Sequence, residues 1–134
     1  MPGATYDTGA LIGGDRNDRR MWALHAGFIA EEVVPTVPAP VVAEAWRGGS
    51  RQASLARMLA GCDIEAMTAE QARQVGVLAG RADHDDVVDA AVVVDAAVVE
   101  GAARRNDDVI VTSNETHIRK LLDATGKRIR IEAV

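Results

Sequence analysis

Short β-branched runs alternate with helix-patterned stretches along the whole chain, and that alternation limits the fold more than any single motif. "DVIVTS" at 108–113 is the clearest strand, a short continuous apolar run of the kind buried on both faces. Shorter strands are expected around Ala4–Tyr6, in "VVPTVP" (33–38), weakly in "CDIEAM" (62–67), and in "RIRIEAV" (128–134). Between them, residues 17–31 space Met21, Leu24, Ala26, Phe28 and Ile29 roughly as a helix would. Pro40 stands where a proline opens a helix, "VVAEAWR" follows, and Gly48–Gly49 ends it before a further helix from Arg51 to Ala60. Thr68 with Gln71 forms a capping-box pattern for a helix to about Leu78, with Gly80 beyond its end. A valine-rich helix is expected from about Asp86 to Arg104, and Ser113 is placed to cap a last helix that Gly126 stops. Strands and helices alternating along the chain predict an α/β fold, a parallel sheet covered on both faces. At 134 residues the chain makes a single domain, 1–134.

Composition narrows the function classes. Hydrophobic residues make up 48% but aromatics only 3%, so the core is built from Ala, Val, Leu and Ile. Cys62 is the single cysteine, which excludes an intrachain disulfide and a cysteine-rich zinc cluster and suits a reducing compartment. The N-terminal "MPGATYDTGALIGGD" has no basic segment followed by an apolar run. No apolar run approaches the ~20 residues of a membrane span. A soluble cytoplasmic protein is expected. The net charge of −5 counts against a protein that simply coats nucleic acid. It does not exclude an enzyme whose acids gather in one pocket and hold cations. Basic residues cluster in "DRNDRR" (15–20), "RGGSR" (47–51), Arg104–Arg105 and "IRKLL" (118–122), each also readable as solvated helix surface.

In open parallel sheets, reactive groups collect beyond the carboxyl ends of the strands. Asp7 follows the first strand directly, and Thr112, Ser113 and Asn114 follow the strand after the valine-rich helix. On that helix, at ~100° per residue, Asp86, Asp89 and Glu100 share one side with Val93, Ala96 and Ala97. Val88, Val92, Val98 and Val99 take the other side, where Asp95 is a structural residue with a hydrogen-bonding partner or a rim position. The helix dipole alone would favour acids at its first turn, and "DHDD" (83–86) is a good start signal. Glu44, early in its helix, is explained as easily. Asp7 is harder to dismiss, because a plain turn would serve there. Phosphodiester hydrolysis needs an activated water and charge neutralised at phosphorus, and divalent ions held by carboxylates supply both. Mg²⁺ and Mn²⁺ prefer carboxylate and water oxygens.

"YDTGALI", "VPAPVVAEAWR", "DVVDAAVVV" and "VIVTSNETHIRKLL", in this order and at these separations, resemble the PIN-domain ribonucleases. The likeness is closest to the VapC-type toxins of bacterial toxin–antitoxin pairs and runs from about residue 4 to 134. It implies a PIN-like (Rossmann-like) three-layer α/β/α sandwich and a Mg²⁺- or Mn²⁺-dependent endoribonuclease. It also implies a homodimer silenced by a small VapB-type antitoxin. Carried over by position, the metal-holding acids are Asp7, Glu44 and Asp89, with Asp86 a neighbouring acid, and Thr112 and Ser113 match the polar pair after the fourth strand. Similar toxins commonly read "TSDPDDL" where this chain reads "TSNETHI". Asn114 replaces the first acid of that run and can still orient a water; His117 replaces the last. One firm metal site and a weakened second are therefore expected, with His117 tilting preference toward Mn²⁺.

Arg16, Arg19, Arg20 and Arg119 are candidates to guide an RNA backbone, single-stranded or looped RNA being the expected substrate. Met21, Trp22, Leu24, Phe28 and Trp46 are candidates for an antitoxin-facing groove, and equally for core. A second function class is a catalytically weak or silent member of the same fold that acts by binding RNA or antitoxin, which "TSNETH" keeps open. A phosphoacceptor receiver domain ranks third: the chain lacks the acidic pair after the first strand and the late lysine that such a domain needs.

Overall fold

Ala4, Thr5 and Tyr6 pair in parallel with Val109, Ile110 and Val111, and all six are buried. This apolar ribbon is the middle of the molecule. The computed structural model describes residues 3–83, 86–93, 109–126 and 128–134. Strand β1 (Ala4–Tyr6) leads into α1 (Thr8–Asp15) and α2 (Arg19–Ala30). Strand β2 (Thr36–Pro38) is followed by α3 (Ala39–Ala45), a 3₁₀ turn (Ser50–Gln52) and α4 (Ala53–Ala60). Then come β3 (Asp63–Glu65), α5 (Ala69–Arg81) and α6, helical over 87–93. Strand β4 (Val109–Thr112), α7 (Glu115–Thr125) and β5 (Arg130–Ala133) close the chain.

Among the described residues, five strands lie all parallel in the order β3-β2-β1-β4-β5. From β1 the chain steps outward to β2 and β3, then crosses back to β4 on the other flank of β1 and on to β5. Right-handed crossovers put the helices of the two journeys on opposite faces. The packing agrees: α1 lies against α2, α3 and α4, whereas α5 lies against α7. The fold is the three-layer α/β/α sandwich expected from the sequence. Its core is Tyr6, Leu11, Met21, Leu55, Met58, Ile110, Ile118 and Leu121, all fully buried. Burying each such side chain contributes about 1.5–3 kcal/mol. Among the described residues, no helix is long and apolar enough to cross a membrane.

Local rules explain most boundaries. The Thr68–Gln71 capping box makes both of its reciprocal bonds, at 3.0 and 3.1 Å. Gly126 closes α7 in the left-handed conformation. Asp18 caps α2 by accepting the Met21 N–H at 2.9 Å, so that helix starts two residues later than the apolar spacing suggests.

Three expectations are corrected. Helix α5 does not stop near Leu78 but runs to Arg81, because Gly80 has open space around it and is tolerated inside. Asn114, not Ser113, takes the N-cap position of α7, and it makes no side-chain cap bond. Val93 is as buried as Val92, so the start of α6 has no polar face at that position. The rest of the valine-rich stretch, with Asp95, Glu100 and Arg104–Arg105, lies outside the described residues. Helix α1 is new with the structure, since no pattern in the sequence announces it. Its "TGALIGGD" is glycine-rich and poor in helix propensity. It forms because Asp7 caps it and its glycines admit close neighbours: a Cβ on Gly14 would lie 2.5 Å from the Met58 sulfur.

Of the groove candidates, Met21 is fully buried, and Trp22, Leu24 and Phe28 are half-buried against the core. The Trp22 indole donates to the Gly14 carbonyl at 3.0 Å and its ring carries the Arg57 guanidinium 5.3 Å from its centroid. Trp46 alone of the five is exposed, at 40%.

Candidate metal centre

The reversal of strand order falls between β1 and β4, and the candidate residues cluster at the carboxyl ends of those two strands. Asp7 comes first. Its N–H continues the ladder to the Val111 carbonyl at 3.1 Å, which fixes the residue against the sheet. Its Oδ1 accepts the Ala10 N–H at 3.0 Å as the N-cap of α1. Only 3% of the residue is exposed. Capping bonds ordinarily hold a carboxyl low. Here burial outweighs them, and the nearby charge of Asp89 adds to it, so the Asp7 carboxyl is pushed up from 3.8 to about 6. The Thr112 hydroxyl and the Gly9 and Ala10 N–H groups pull the other way.

Thr112, fully buried, spends its hydroxyl twice: it hydrogen-bonds Asp7 and accepts the Asn114 N–H at 2.8 Å. Ser113 is exposed and packs over Gly9, whose place no larger residue could take, because a Cβ there would run into the Ser113 side chain. The approach of α1 to the end of β4 thus depends on Gly9, to which no sequence motif points. Thr8 is likewise unmarked in the sequence. Its hydroxyl donates to Glu44 Oε1 at 2.6 Å and so ties the exposed Glu44 of α3 to the residue next to Asp7.

Asp89 approaches from the other face of the sheet. Asp86 sets up its helix by accepting the Val88 and Asp89 N–H groups at 2.9 and 3.2 Å, a capping role that accounts for Asp86 without chemistry. The Asp89 side chain is 16% exposed, and its Oδ2 lies 3.6 Å from His117 Nδ1. That same ring nitrogen is 2.7 Å from the Asn114 amide nitrogen. With the amide donating, His117 is neutral and accepts at Nδ1; with His117 protonated, the ring nitrogen donates and the Asn114 amide turns to offer oxygen.

Asp7, Asp89, Thr112, Asn114 and His117 therefore form one connected cluster, and Glu44 joins its rim through Thr8. Among the described residues, no three His, Cys, Asp or Glu side chains stand together as a ready cation cage. The donor set itself suits a hard divalent cation: two carboxylates close enough to feel each other, one of them desolvated.

Of the basic candidates, Arg16 lines a groove of about 390 Å³ shared with Gly9, Ile12, Asp18 and Ser113, beside the cluster. Arg19 is exposed at the start of α2. Arg20 sits 3.7 Å from Glu132, and Arg119 pairs with Glu115 one helical turn back at 2.6 Å. Cys62 offers no alternative nucleophile: burial pushes its thiol up to about 12, and its sulfur lies 3.3 Å from the Met58 carbonyl. His25 is buried against the Tyr6 hydroxyl, 2.9 Å away, and burial lowers its basicity. Scanned against models of known protein families the sequence matches none, and a search of curated proteins returns no match.

Proposed function

We propose that the protein is a metal-dependent endoribonuclease of the VapC-toxin kind, with Asp7 and Asp89 as the groups that hold Mg²⁺ or Mn²⁺ and Glu44 on their rim. The observation that carries the reading is Asp7: a carboxyl buried at the sheet's reversal point, beside a second acid, and raised to about 6. Such a pair is costly without a positive charge and becomes favourable with one. A divalent ion, when bound, supplies charge neutralisation at phosphorus and a more acidic water. The chain's own groups do the rest. Thr112 holds the Asp7 carboxylate in one orientation, and Asn114 presents an amide able to orient a water. Arg16 and the groove beside Ser113 offer a path for one side of an RNA backbone. A reducing, cytoplasmic setting suits the unpaired Cys62.

A test uses labelled single-stranded RNA with Mg²⁺, with Mn²⁺, with EDTA, and with Asp7→Asn. Asparagine keeps the helix cap and removes only the charge. Cleavage that needs the ion and disappears in Asp7→Asn supports the proposal; cleavage that survives both refutes it. A second reading is a silent relative that binds RNA or a small antitoxin. It is favoured by the missing three-group cage among the described residues and by His117 standing against Asp89. Ion binding by Asp7 and Asp89 without RNA cleavage selects it.

A further inference from the structure

Folding brings together three arginines that the sequence keeps apart. Arg119 belongs to α7, Arg128 to the connection after it, and Arg130 opens β5. With Leu122, Asp123 and Ile129 they line one groove of about 350 Å³, a volume within the range of small-molecule sites. Leu122 and Ile129 are buried and form an apolar floor, whereas Arg119, Asp123, Arg128 and Arg130 are exposed. The groove lies away from the metal centre. Arg130 pairs in register with Val109 at the amino end of the strands, while Asp7 and Thr112 stand at the carboxyl end. At about 3.3 Å per residue, the two levels are about 10 Å apart along the sheet.

Charge limits what such a groove accepts. Three guanidiniums against the one carboxylate of Asp123 leave an excess of two positive charges, in a chain whose net charge is −5. Arg119 is partly committed to Glu115, at 2.6 Å. Among the described residues, the Arg128 and Arg130 side chains have neither an ion-pair nor a hydrogen-bond partner. A guanidinium presents its N–H donors in a rigid planar fork that fits phosphate oxygens two at a time. Two uncommitted forks at one groove suit two linked phosphates better than a single one. An RNA backbone running along α7 fits less well. Glu115 stands one turn before Arg119 on the side of the metal centre, and Asp123 one turn after it, so such a strand would pass two carboxylates.

We propose that the groove between α7 and β5 binds a diphosphate group, free or carried by a nucleoside, at a site separate from the metal centre. Arg128 and Arg130 hold the phosphates, and Arg119 flanks them. Where a nucleoside carries the group, its ring packs on Leu122 and Ile129, and Asp123 accepts from a ribose hydroxyl or a ring N–H. The site is independent of the metal reading.

The test is titration calorimetry on the whole protein, stripped of divalent ions by dialysis, with circular dichroism to show that each variant is folded. The ligands are pyrophosphate, ADP, orthophosphate and a single-stranded RNA oligonucleotide. Pyrophosphate or ADP should bind more tightly than orthophosphate or RNA, and more weakly as salt rises. Tighter binding of ADP assigns the group to a nucleoside, and equal or tighter binding of pyrophosphate assigns it to the free ion. Arg128→Gln and Arg130→Gln should each raise the dissociation constant about fivefold, and Asp7→Asn should leave it unchanged. Failure of both diphosphates to bind overturns the proposal. So does binding that survives the double variant Arg128→Gln/Arg130→Gln, binding lost in Asp7→Asn, or orthophosphate or RNA bound as tightly as the diphosphates.

Discussion

Asp7 and Thr112 are joined by a side-chain hydrogen bond across the ends of β1 and β4, and the same hydroxyl accepts the Asn114 N–H at 2.8 Å. One buried oxygen thus couples the acid to the start of α7. Thr112→Val keeps the shape and removes both bonds, leaving a buried carboxyl and a backbone donor short of partners. The expected cost is about 1–3 kcal/mol, read as a lower urea midpoint. Thr112→Ser should recover most of it; a Val variant as stable as the wild type would show that the bond does no structural work.

The raised Asp7 carboxyl makes a signed pH prediction. A group that holds its proton more tightly when folded gives the folded state an advantage at low pH. That advantage is lost as pH rises from the unfolded value near 3.8 through the folded value near 6. The gap corresponds to about 3 kcal/mol, at about 1.4 kcal/mol for each pH unit. Metal-free wild type should therefore lose stability relative to Asp7→Asn between about pH 4 and pH 6. Urea melts of both proteins across that window check it, and parallel pH curves would contradict it.

Divalent ions should act on the same carboxyl. If Mn²⁺ binds the folded protein alone, an excess of one hundred times its dissociation constant adds about 2.7 kcal/mol. Wild type should show a rising melting temperature with Mn²⁺, and Asp7→Asn and Asp89→Asn should not. An equal rise in all three would place the ion elsewhere.

Two glycines predict opposite signs. In an unencumbered helix, Gly→Ala stabilises by about 0.5–1 kcal/mol. A methyl group on Gly27 in α2 would meet nothing within 4 Å, so Gly27→Ala should gain that much. Gly9 faces Ser113, and Gly9→Ala should cost about 1–3 kcal/mol through overpacking. Ser113→Gly in the same chain should relieve it, a double-mutant comparison by urea midpoint.

Signals written in neighbouring residues are legible in the sequence, and those written in distant ones are not. The capping box at Thr68 and the stop at Gly126 are local, and both hold in the fold. The alternation of strand and helix predicts the parallel sheet, because period and length are also local. Helix α1 is invisible because its glycines argue against it until Ser113 and Met58 are known to lie beside them. In the candidate centre, Asp7 is legible as an acid at a strand end. Its tie to Thr112 and the Thr8–Glu44 bond are not, since they join residues far apart in sequence.

His117 gives the last prediction. Its Nδ1 lies 3.6 Å from Asp89 Oδ2 and 2.7 Å from the Asn114 amide nitrogen, which brings an imidazole nitrogen into the cluster. Imidazole nitrogen favours Mn²⁺ over Mg²⁺ more than a carboxylate oxygen does. It can also compete for Asp89 as an imidazolium when protonated. Replacing it by an acid removes both effects and adds a hard oxygen beside two others. His117→Asp should therefore bind Mg²⁺ more tightly and narrow the Mn²⁺-to-Mg²⁺ affinity ratio, measured for both ions by titration calorimetry. A ratio unchanged from wild type would mean that His117 lies outside the ion's reach and serves only to position Asp89 and Asn114.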